Sequence, residues 1–129
     1  MDKLLRRFFE AVSLCTGAQA IKPRLADAWV QHLDAIDPGK LPPGLRVKFR
    51  QLRTAMYREQ PMPGEHVARA SVRKMSQKQA AEHTRTIAAI YSELTRIQFE
   101  NQSPVTQPAS QGTTASDSDY DAGNETLLN

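Results

Sequence analysis

The chain has 129 residues, with 17 Lys and Arg against 14 Asp and Glu, one Cys, one Trp and 40% apolar residues. That length suits one domain with a tail and excludes a barrel enzyme or a two-domain dinucleotide enzyme. A single Cys excludes an internal disulfide, and no run approaches the roughly 18 apolar residues of a membrane span, so a soluble, cytoplasmic protein is expected.

Residues 1–10 carry charges where a signal peptide keeps an unbroken apolar segment, and they read as the start of a helix instead. Leu4, Leu5, Phe8, Val12 and Cys15 fall on one side at steps of three and four, with Asp2 at the favourable end of the macrodipole. Thr16-Gly17 is expected to stop this helix, with Gly17 in the left-handed cap conformation. Arg6, Arg7, Phe8 and Phe9 also fit a membrane-surface helix, but a packing face in a bundle is the preferred reading. Cys15 continues the stripe and reads as a buried structural thiol, not a nucleophile.

Pro23 suits the first turn of a second helix, whose stripe is Leu25, Trp29, Leu33 and Ile36. Asp37-Pro38-Gly39 ends it. Pro42-Pro43-Gly44 opens a third helix over about 43–59, with Leu45, Phe49, Leu52 and Met56 as the clearest stripe in the chain. From Glu65 to Phe99 there is neither Pro nor Gly, and Ala68, Val72 and Met75 are followed by His83, Ile87, Ile90, Leu94 and Ile97 at helical spacing, with His83 read as a core or boundary imidazole. Ser76 with Gln79 fits a capping box, which favours two helices, 65–75 and 77–99, over one rod. Strand-like alternation is absent. The fold is expected to be all-α, a compact bundle of four to five helices over residues 1–102. Its core runs from Leu5, Phe8 and Val12 through to Ile97.

Residues 103–129 hold no Lys or Arg, carry Asp117, Asp119, Asp121 and Glu125, and are rich in Ser, Thr and Gln. This acidic segment buries too little to offset its ordering entropy, so a disordered tail is expected. It carries −4 beside a body of +7. Such a tether can compete with external anions at high effective concentration, although a solubilising appendage is the default reading.

The body's charge is concentrated between Arg46 and Arg85, where ten basic residues meet Glu59, Glu65 and Glu82. Arg46, Arg50 and Arg53 share one helix face, and Arg69, Arg73 and Lys74 follow on the next helix. If the two faces merge, these six residues form a contact patch for an acidic protein or for nucleic-acid phosphates. The bland alternative is a solvated face whose Arg methylenes cover the core edge.

Residues 75–83 resemble the opening of the second helix of a helix-turn-helix motif, with Ser76-Gln77 and Ala81 in place. The Gly of the turn is Arg85 here and the stripe runs on through Tyr91, so a packed bundle helix is the preferred reading. His32, His66 and His83 form no HExxH, and one Cys supplies no paired ligands, so neither metal nor cofactor is expected. No nucleophile motif or phosphate loop is present. The sequence therefore favours a small non-catalytic helical protein acting through protein–protein contacts as an adaptor, regulator or subunit. Self-association through leftover apolar faces is a further route. The alternative is non-sequence-specific nucleic-acid binding through the basic face, with the tail as modulator.

Overall fold

The structure, a computed structural model, describes residues 1–102, and the expected tail lies outside them. The described residues contain five α-helices and no strand: α1 (Asp2–Cys15), α2 (Ile21–Ala28), α3 (Pro43–Met56), α4 (Val67–Arg73) and α5 (Gln77–Gln102). A π turn, Trp29–Leu33, extends α2, and a 3-10 turn spans Pro38–Lys40. The compact unit that holds the fold is Met1–Thr95; from Arg96 the last turns of α5 belong to a second unit. There Arg96 Nη1 donates to Glu100 Oε2 at 2.6 Å, one helical turn away.

The stripes meet as their periodicity requires. Phe8, Trp29 and Phe49 are fully buried and form an aromatic centre. Trp29 stacks on Phe49 with centroids 5.5 Å apart, and Phe8 meets Phe49 edge-on at 5.9 Å. Each such pair adds about 0.5–1.5 kcal/mol beyond simple burial. Leu25, Leu33, Leu45, Leu52, Met56, Ile87, Ile90 and Leu94 surround this centre and are likewise buried.

Three expected core residues, Leu5, Val12 and Ile97, are only half-covered. Ala28 and Ala68 are buried with the stripes, and small side chains also occupy interior positions off them: Ala11, Ala26, Ala70 and Ala80 are all buried. Small residues let helix backbones approach closely, and in α4 Ala68, Ala70, Ser71 and Val72 are all buried. Leu41, in the Pro- and Gly-rich connection before α3, is also interior.

Chain ends of the helices follow local chemistry. Thr16, not a left-handed Gly17, closes α1: its Oγ1 donates to Ser13 O at 2.9 Å, and Gly64 alone among the described glycines has positive φ. Pro23 sits in the first turn of α2, as its missing N–H allows. Ser76 Oγ accepts from Gln79 N at 3.0 Å while Gln79 Oε1 accepts from Ser76 N at 2.9 Å. That reciprocal box separates α4 from α5, giving two helices where one rod was the alternative. Arg85 lies inside the uninterrupted α5, so the geometry of a helix-turn-helix is absent there.

Candidate functional site

The six basic residues singled out by spacing fall into three pairs with different environments. Arg46 Nε donates to Leu41 O at 2.8 Å, and Arg53 Nη1 donates to Asp34 O at 3.0 Å. Arg69 pairs with Asp27 at 3.0 Å. Arg73 grips Glu65 with both Nε and Nη2, at 3.1 and 3.0 Å, and this guanidinium holds the Glu65 carboxyl below the usual carboxylate range. Arg50 and Lys74 are exposed and form no ion pair among the described residues. A continuous field of six free cations is therefore not what the packing produces.

Arg46 and Arg53 share with Arg24 and Lys22 a task that spacing alone does not reveal. Arg24 Nη1 donates to Cys15 O, the last residue of α1, at 2.6 Å, and Lys22 Nζ donates to Arg73 O, the last residue of α4, at 3.0 Å. With Arg46 and Arg53, they place positive charge on carbonyls that chain ends leave without helical partners. These cations stabilise termini electrostatically and tie neighbouring elements together.

A polar cluster centres on Asp34, just beyond the π turn. The Asp34 N–H donates to Trp29 O at 2.8 Å, which closes that wider turn and aims the carboxylate back along the chain. Its Oδ1 accepts from Trp29 Nε1 at 3.0 Å and from the Tyr57 hydroxyl at 2.6 Å. Its Oδ2 lies 3.2 Å from His66 Nε2. Burial opposes ionisation of Asp34, but the Tyr57, Trp29 and His66 hydrogen bonds outweigh it and hold the carboxyl below its ordinary range. The same bond to Asp34 pushes the Tyr57 phenol up. Arg53 lies over the Tyr57 ring, 4.9 Å from its centroid.

His66 makes this cluster structural. Its Nδ1 accepts from Ala68 N at 3.0 Å as the N-cap of α4, which places the ring proton on Nε2, facing Asp34. Both ring nitrogens are thus occupied by the fold, and neither is offered to a substrate. No group of three or more His, Cys, Asp or Glu suited to a metal occurs among the described residues. Cys15 is buried, and that burial, only partly opposed by Arg24, pushes its thiol up to about 11.

Two other surfaces have distinct chemistry. Between α1 and α5, an open groove of about 440 Å³ is lined by Asp2, Leu5, Arg6, Phe9, Glu10 and Tyr91. Phe8 is fully buried, whereas its neighbour Phe9 is 51% exposed with its ring 6.2 Å from Tyr91. Spacing carried this signal, since adjacent helical residues point about 100° apart and only one Phe can join the stripe.

Between α3 and α5 lie two grooves that share His83. One, of about 130 Å³, has Arg58, Glu59, Lys74 and Gln79 on its walls; the other, of about 250 Å³, has Lys48, Gln51 and Thr86. Burial, with Arg58 nearby, pushes the His83 imidazole down against the opposing pull of Glu82.

No described helix is long and apolar enough to cross a membrane. Comparisons of the chain with protein-family models, with curated proteins and with solved structures give no match.

Proposed function

We infer that this is a small non-catalytic protein that works by contact, as an adaptor, regulator or subunit, and that its principal contact surface is the α1–α5 groove. The observation that carries this reading is Phe9, half-exposed beside Tyr91 and flanked by Arg6. Aromatic and Arg side chains supply most hot spots of protein interfaces, and charged rims orient the partner. The occupied ring of His66 and the buried, high-pKa thiol of Cys15 support a contact role, because each would otherwise be the natural candidate for chemistry.

Capture from the native lysate on immobilised full-length chain, after nuclease treatment, tests this reading. Wild type is expected to retain specific proteins that Phe9→Asp loses while keeping the same urea midpoint. Equal capture by both forms would place the contact elsewhere.

A second reading, non-sequence-specific nucleic-acid binding, is favoured by Lys48, Arg50, Arg58, Lys74, Lys78 and Arg85. All six are exposed and form no ion pair among the described residues. Partners that vanish with nuclease would support it.

A further inference from the structure

We propose that the α3–α5 cleft is a binding track for the phosphate backbone of a nucleic-acid duplex, with Lys48, Arg58 and Lys74 as its phosphate contacts and His83 between them. This rests on the nucleic-acid reading above and keeps only Lys74 of the expected patch, joined here by Lys48 and Arg58.

The cations of this body divide into two groups. Arg46, Arg53, Arg69 and Arg73 are committed to carbonyls or carboxylates. Lys48, Arg58 and Lys74 instead stand exposed on the walls of two adjoining grooves joined at His83. Lys48 and Arg58 are ten positions apart along and just beyond α3, about 15 Å at helical rise, which is a span of several backbone phosphates. Glu59 is the one carboxylate on these walls, and Glu82 is exposed beside His83 on α5. Three permanent cations therefore face one acid within the cleft.

The remaining walls select the kind of ligand. Gln51, Gln79 and Thr86 offer neutral hydrogen-bonding groups, and the half-buried imidazole of His83 is the one ring on either lining, with no Phe, Tyr or Trp beside it. A single half-buried ring is a poor platform for successive unpaired bases, so the contacts are to phosphate and favour the denser charge of a duplex over a single strand. Phosphate beside the half-buried His83 would also favour its charged form, reversing the effect of its surroundings in the free protein.

Anisotropy of a short labelled DNA duplex of mixed sequence, titrated with full-length chain over a range of salt, tests the proposal. Three phosphate contacts predict a log–log salt slope of about −3. The Lys48→Glu/Arg58→Glu double variant should weaken binding about tenfold or more and bring the slope to about −1. Reversal of two exposed charges on α1, Lys3→Glu/Arg7→Glu, should leave the slope at about −3, which separates the site from net charge. The His83 ring, followed by NMR, should titrate at higher pH with duplex bound. Binding that survives the cleft reversal unchanged would overturn the site and leave the nucleic-acid reading standing. Absence of duplex binding at low salt would overturn both. Tighter binding of the matching single strand would overturn the duplex assignment.

Discussion

His66 holds the start of α4 with one ring nitrogen and meets Asp34 with the other, joining a helix cap to the residue that closes the π turn. Through Asp34 the link extends to the indole of Trp29 at the centre of the core. The cluster therefore couples three elements distant in sequence, and its removal should be felt in global stability.

Asp34→Ala should destabilise the protein by about 1–3 kcal/mol in urea unfolding, because it leaves the buried Trp29 N–H without its acceptor. The pH dependence has a defined sign. The folded carboxyl titrates below its ordinary value of about 4, so its stabilisation is fully present above that value and is lost as pH falls through the lower, folded one. Glu65 behaves in the same direction, so the difference between wild type and Asp34→Asn isolates Asp34: it should shrink on acidification below pH of about 4. A constant difference would mean that ionisation of Asp34 contributes nothing.

At position 66 the cap and the contact with Asp34 can be separated. Asn accepts well at an N-cap but lacks the second ring nitrogen that meets Asp34, so His66→Asn should retain most of the stability that His66→Ala loses, the latter by about 1 kcal/mol. Equal losses would locate the contribution in the contact with Asp34 instead.

The Ser76–Gln79 box makes a similarly local prediction. Ser76→Ala should cost about 1 kcal/mol and increase amide exchange in the first turn of α5 without changing exchange at Ile90 or Leu94. Uniform acceleration along α5 would show that the cap governs the whole helix.

Cys15 should resist thiol reagents at neutral pH, since it is buried and its thiol is pushed up to about 11. Reaction should accelerate only in urea, in step with unfolding. Rapid labelling of the native chain would contradict the burial of this face.

What was legible in the sequence was local. Helical spacing found Phe8, Trp29, Phe49 and Ile90, and the three-residue reach of a capping box found Ser76 and Gln79. The fate of the arginines was not local: Arg53 donates to a carbonyl 19 positions earlier, and the partners of Asp34 include Tyr57 and His66, 23 and 32 positions on. Spacing placed Arg46, Arg50 and Arg53 on one face, but only the packing of the turns against α3 decides which guanidinium meets an orphan carbonyl. The π turn left no mark either, because its extra residue keeps Trp29 and Leu33 in an apparently ordinary stripe. Phe9 was readable as the residue off the stripe, but its pairing with Tyr91 required the approach of α1 to α5.

Contact through the α1–α5 groove can be read in cells by site-specific photo-crosslinking, with a benzophenone amino acid in place of Phe9 or, as a solvent-facing control on α3, of Val47 (63% exposed). Position 9 should give discrete protein adducts that withstand nuclease and are absent from position 47. No adduct at position 9, or the same adducts from both positions, would contradict that contact.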